Sequence, residues 1–124
     1  MVSKISAVAA KLTFVLALSF LGGQAMAAGA LAVDSNQGDQ YGFAHGQPNT
    51  SQAAQRALNE CGSGCQVVLQ FDSGCAAFAA DQSRGSTANG WGTASSASGA
   101  QSRAVSECQS RRGSNCTIRS WACE

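Results

Sequence analysis

The chain has little of what catalytic sites are usually built from. Among 124 residues there is one histidine, one proline and one tyrosine, and no lysine occurs after Lys11. No Cys-x-x-Cys pair is present, which removes a thioredoxin-type redox motif. No segment reads as a glycine-rich phosphate cradle, so nucleotide binding is set aside. The stretch around Gly38 and Asp39 lacks the alternating acidic order and closing glutamate of a calcium loop.

Long apolar runs are also missing. The run from Leu12 to Leu21 is shorter than the roughly 20 residues a membrane-spanning helix needs. It follows Lys4 and Lys11 and precedes Ala25-Met26-Ala27-Ala28. Basic, then apolar, then A-x-A is the order of a cleavable signal peptide, with residues 1–27 removed after Ala27. The expected product is residues 28–124, one domain without a membrane span, periplasmic or secreted. It carries six arginines against seven acids, a formal charge of −1. Nucleic acid and anionic membranes are poor partners for it, because both call for a basic excess clustered on one face. Arg111-Arg112 is the only local positive cluster.

That product holds only fourteen large apolar residues. So thin a core is marginal in a small domain, and covalent cross-links are the usual remedy in exported chains. Six cysteines, Cys61, Cys65, Cys75, Cys108, Cys116 and Cys123, are all placed to supply them. Zinc would want a second short cysteine pair beside Cys61 and Cys65, and Cys108 and Cys116 are spaced too widely for that. The expectation is therefore disulfides, no metal and no cofactor.

An internal duplication is the most informative pattern. Arg56-Ala57-Leu58-Asn59-Glu60-Cys61 aligns with Arg103-Ala104-Val105-Ser106-Glu107-Cys108, and the same offset of 47 places Leu31-Ala32-Val33-Asp34 on Phe78-Ala79-Ala80-Asp81. Gly42-Phe43 falls on Gly90-Trp91, Cys65 on Cys116, Phe71 on Trp121 and Cys75 on Cys123. Two copies are too few for a solenoid.

Within the first copy, Ala30–Val33 and Tyr41–Ala44 read as strands around a polar hairpin loop. Asn49 or Thr50 then caps a helix whose Ala53, Ala57, Leu58 and Cys61 share a face, and Gln66–Phe71 is a third strand. The second copy repeats this with Ala76–Ala80, Gly90–Gly92, a helix presenting Ala100, Ala104, Val105 and Cys108, and Thr117–Trp121. The expected fold is α+β: a duplicated β-β-α-β unit with pseudo-twofold symmetry, about 28–74 and 75–124, its mainly antiparallel sheet covered by two helices and stabilised by disulfides. Symmetry suggests Cys61–Cys65 and Cys108–Cys116 as local bridges, with Cys75–Cys123 joining the copies, out of fifteen possible connectivities.

Several of these repeated elements carry a family likeness. They are Gly29-Ala30-Leu31-Ala32 and Cys75-Ala76-Ala77-Phe78, the Gly-aromatic pairs, the alanine-rich helices ending in Glu-Cys, and the Cys65-Gln66-Val67-Val68 and Cys116-Thr117-Ile118 strands. Together, from Gly29 to Cys123, they resemble the domain of unknown function 4189 family of small exported bacterial proteins. The resemblance implies this duplicated architecture outside the cytoplasm and brings no activity or catalytic residue with it.

Candidate sites are few. His45 follows the second strand, and the second copy has no histidine at the matching position. Asp34 and Asp81 match between copies and invite a glycosidase-like carboxylate pair, although each opens a polar loop where aspartate commonly bonds nearby backbone amides. Tyr41, Phe43, His45 and Trp91 form the candidate binding surface, since aromatics dominate recognition hot spots. The expected function is a non-catalytic exported module that binds a protein or envelope component, as an inhibitor or interaction partner. The alternative is a small hydrolase using His45 with Asp34, Asp39 or Ser35.

Overall fold

The first strand already dictates a layered fold, because its two faces differ in size. In Ala28-Gly29-Ala30-Leu31-Ala32-Val33 one face is all alanine and the other carries leucine and valine. The alanine face suits a closely approaching helix, and the larger face needs a second apolar surface. Both demands are met in the computed structural model, which describes residues 27–34 and 40–124; the leader and residues 35–39 of the first hairpin lie outside the described residues.

The elements are β1 (Ala28–Asp34), β2 (Tyr41–Gln47), α1 (Thr50–Cys61), β3 (Cys65–Phe71), β4 (Cys75–Asp81), β5 (Asn89–Ala94), α2 (Ala97–Ser110) and β6 (Cys116–Cys123). They form two antiparallel three-stranded sheets, ordered β2-β1-β3 and β5-β4-β6. The fold is α+β, and the antiparallel strands divide between two sheets instead of sharing one. Each helix covers the outer face of its own sheet, and the inner faces pack on each other through Leu31, Val33 and Phe78 with Tyr41, Phe43, Leu69 and Trp91. Leu31 and Phe78 are fully buried, each contributing about 1.5–3 kcal/mol of apolar transfer.

Both helices start and pack by the same devices. The Asn49 side chain accepts from the Gln52 N–H at 2.8 Å, and the Ser96 hydroxyl accepts from the Gly99 N–H at 3.1 Å, satisfying backbone donors that a helix N-terminus leaves open. Ala53, Ala57 and Cys61 of α1, and Ala100, Ala104 and Cys108 of α2, are the buried stripe. Beneath them lie Gly42 and Gly90, where a methyl group would overlap the Ala57 carbonyl oxygen or the Cys108 nitrogen. The helices thus rest on bare strand backbone, a close approach only glycine permits.

A bulge recurs at matching places. The β1–β3 register shifts between Leu31 and Ala32, so Val68 is the extra residue of β3, and the β4–β6 register shifts between Phe78 and Ala79, so Arg119 is the extra residue of β6. Because side chains alternate faces, one inserted residue lets Leu69 and Phe71 point inward while Cys65 points out to α1.

The sulfurs pair as Cys61–Cys65, Cys108–Cys116 and Cys75–Cys123. The first two tie each helix end to the following strand. Cys75–Cys123 does not join the copies: both residues belong to the second sheet and stand opposite each other in the β4–β6 ladder. The register also corrects the match of Phe71 with Trp121. Phe71 faces Gly29 and Ala122 faces the equivalent Ala76, so Trp121 corresponds to Gln70. Trp121 accordingly stands on the outward side of an edge strand, 51% exposed. What links the copies is the inter-sheet core, with the Gly46 N–H donating to the Glu124 carboxylate at 2.7 Å and the Tyr41 hydroxyl donating to the Arg119 carbonyl at 3.3 Å.

Candidate functional site

Two loops at one end of the second sheet are held together by a single side chain. Asp81 ends β4, and its Oδ1 accepts from the N–H groups of Ser83 and Asn115, both at 3.0 Å, while Oδ2 accepts from the Ser114 N–H at 3.2 Å. The loop after β4 is thereby fastened to the loop before β6, with the Gln82 N–H donating to the Asn115 carbonyl at 3.0 Å. The Ser83 N–H, then the Ser86 hydroxyl, hold the Asp81 carboxyl well below the usual carboxylate range; slight desolvation opposes them, and Ser83 Oγ and the Ser114 N–H add to the lowering. Asp81 therefore stays ionised and acts as a clamp.

Above this clamp opens a cleft of about 360 Å³. Its floor is Tyr41, Phe78 and Ala80, with the Tyr41 and Phe78 rings 4.8 Å apart. Its rim carries Gln82, Ser83, Ser86 and Thr87. Arg119, the bulge residue of β6, closes one side: its Nη1 donates to Gln82 Oε1 at 2.9 Å, and its guanidinium lies 5.9 Å from the Tyr41 ring centre. Tyr41 comes from the first copy and every other lining residue from the second, so the cleft exists only because the sheets stack.

A second cleft of about 220 Å³ is lined by Val33, Asp34, Gln66 and Val68 of the first copy and by Asn89, Trp91 and Arg111 of the second. The Arg111 guanidinium sits 5.0 Å from the Trp91 ring centre. It is carried there by the end of α2, where Arg112 takes a left-handed φ of 75° and Cys108 is bridged to Cys116. A shallower groove runs between α2 and β6, with Val105 and Ile118 among its lining residues.

The candidate residues scatter differently from their sequence pattern. Tyr41 and Trp91 each line a cleft, whereas Phe43 packs between the sheets, 6.1 Å from Phe71. His45 is exposed, but within β2 and not in the loop after it. The ladder continues past it because four residues, Ala44 to Gln47, are accommodated opposite the three from Ala28 to Ala30, with Gly46 at φ 66° taking the irregularity. Asp34 lies at the other end of the same ladder, five residues along β1 from the position facing His45. At about 3.3 Å per residue that is roughly 16 Å, beyond hydrogen-bond reach. Ser35 and Asp39 lie outside the described residues.

Arg119, Gln82, Ser83, Ser86 and Thr87 were not anticipated. A serine-rich hairpin loop reads as turn chemistry, and a single arginine within a strand gives no periodic signal. No signal in the sequence singles out Arg119, because the bulge that places it shows only in the strand register.

Among the described residues, no three histidine, cysteine, aspartate or glutamate side chains come together as metal ligands, and no helix is long and apolar enough to cross a membrane. In comparison with known proteins, the family model described as Domain of unknown function (DUF4189) matches residues 28–123, the full two-copy domain. No curated protein and no solved structure matches.

Proposed function

Because the chain belongs to the DUF4189 family, whose description assigns no activity, we propose from its structure that it is an exported, non-catalytic binding module whose working surface is the cleft between Tyr41 and the Asp81-clamped loops. The observation that carries this reading is the clamp itself. One carboxylate fixes two loops around an apolar floor, so the rim hydroxyls and the Arg119 guanidinium are held in place before any ligand arrives. Groups ordered in advance lose less entropy on binding, and loops on a stiff frame are the usual seat of recognition. Periplasmic or secreted placement is supported by the signal-like leader and by the bridging of all six cysteines. The partner is a protein or another envelope component. The hydrolase alternative draws no support from the separation of His45 and Asp34.

The test uses the bridged chain from residue 28 onward, immobilised and exposed to envelope fractions beside a Thr87→Trp variant that fills the cleft. Retention of a component by the unaltered protein and its loss in the variant is the expected outcome. Turnover of peptidoglycan, ester or peptide substrates that disappears in a His45→Ala variant would replace this reading with the hydrolase.

A further inference from the structure

The two clefts are related by the internal symmetry. Through the strand registers, Ala80, Asp81 and Tyr41 of the larger cleft correspond to Val33, Asp34 and Asn89 of the smaller one, and Arg119 corresponds to Val68. All four of these correspondences fall on lining residues of both clefts. Each cleft is also completed by a strand of the other copy, Tyr41 from β2 in one and Trp91 from β5 in the other.

The chemistry is shared even where the residues are not. Each cleft pairs one aspartate with one arginine, and each arginine lies over an aromatic ring. The arginines reach this arrangement by different routes: Arg119 comes from a strand bulge and Arg111 from the end of α2. Duplication alone would have produced the same residue at the same position. The two copies therefore converge on one local composition: a guanidinium braced on a ring, a neighbouring carboxylate and an amide side chain.

We propose that these clefts bind neutral saccharide units, the larger cleft being the principal site; this rests on the binding-module reading above. A charge-balanced cleft disfavours a free anion, which meets the aspartate, and a free cation, which meets the arginine. A neutral polyol suits both, because each hydroxyl donates and accepts at once. Gln82 and Thr87 offer both roles along the rim, Ser83 and Ser86, whose hydroxyl hydrogens go to Asp81, still accept, and Arg119 has N–H donors beyond the one spent on Gln82. Tyr41 and Ala80, the part-exposed residues of the floor, with the Tyr41 ring backed by the buried Phe78, offer apolar surface to the C–H face of a sugar ring. A volume of about 360 Å³ is the share of about a dozen water molecules, ample for one pyranose. The occurrence of two clefts on one rigid frame favours a chain of linked units, where a second contact adds avidity.

The test is a titration of the isotope-labelled, fully bridged protein, followed by backbone amide NMR. The probes are cellotriose, maltotriose and triacetylchitotriose, with sodium acetate and inorganic phosphate as anions. Saturable shifts at Ser83–Thr87 with at least one trisaccharide are expected, weakened about tenfold or more by Thr87→Trp and unchanged in Ser106→Ala. Arg119→Gln is the second variant, should Thr87→Trp not fold. Saturation by acetate or phosphate with no response to any trisaccharide overturns the saccharide proposal while leaving a binding module. No shift with any probe overturns it too, and the retention experiment then decides separately whether the protein binds anything at that cleft.

Discussion

Replacing Gly42 or Gly90 by alanine tests the helix-on-backbone packing in both copies. At Gly42 the new methyl overlaps the Ala57 carbonyl oxygen and lies 2.8 Å from the Cys61 nitrogen; at Gly90 it overlaps the Cys108 nitrogen and lies 2.7 Å from the Ala104 oxygen. These obstacles are helix backbone, which cannot swing aside as a flexible side chain would. Restoring ordinary contact distances requires the helix to retreat by on the order of 1 Å, and a gap of that size forfeits up to half of each lost dispersion contact. The contacts at stake are those of Ala53, Ala57 and Cys61, or of Ala100, Ala104 and Cys108, with the alanine face beneath. Overpacking of this kind costs about 1–3 kcal/mol, and rigid obstacles put each variant near the upper end. With a Tm change of roughly 4–8 °C per kcal/mol in a domain of this size, each variant should melt about 10–20 °C lower. Thermal unfolding with bridges intact, followed by circular dichroism beside exposed Ser106→Ala, gives the comparison. A drop below about 3 °C in both glycine variants would refute the close helix approach, and a large drop in only one would refute its symmetry.

Removing Cys75–Cys123 by paired serine substitution should destabilise the protein by about 4 kcal/mol, against about 2 for Cys61–Cys65, because the first closes a far longer loop; the separations are 48 and 4 residues. Guanidinium midpoints would show the order, and equal losses would contradict it. The hydrogen bonds to Asp81 hold its folded-state pKa below the ordinary carboxylate value of about 4, so its contribution is fully present above about pH 5 and is lost as pH falls through 4 and below. Asp81→Asn should therefore narrow the stability gap between pH 6 and acid conditions, and an unchanged pH profile would remove the clamp from the folding energetics. Arg111→Ala should change Trp91 emission, with a stability loss of about 0.5–1 kcal/mol, the range of an exposed cation–π contact.

Local repetition was legible in the sequence, and long-range stacking was not. The offset of 47 and the four- and eight-residue spacing of Ala53, Ala57 and Cys61 identify two helix-covered units directly, and the Cys61–Cys65 and Cys108–Cys116 bridges follow the same symmetry, whereas Cys75–Cys123 has no counterpart in the first copy. The division into two sheets was hidden because Ala-Leu-Ala-Val reads as one half-buried strand; only the need to cover Leu31 and Phe78 on the face away from the helices calls for a second sheet. Matching Trp121 to Phe71 follows aromatic likeness alone: the offset of 51 that takes Cys65 to Cys116 and Val68 to Arg119 takes Gln70 to Trp121, and one residue puts a side chain on the opposite face. The clefts were unreadable for a related reason. Tyr41 and Phe78 lie 37 positions apart on different copies, and their contact follows from the stacking of the sheets.

The most direct test of the cleft between the copies as the working site is to place the photo-reactive residue benzoylphenylalanine in turn at Thr87, on the cleft rim, and at Gln55, exposed on α1. After irradiation of each protein in an envelope extract, adducts are compared by mass. A discrete adduct from position 87 and none from position 55 is the predicted result. The same adduct from both positions, or one from position 55 alone, would contradict it.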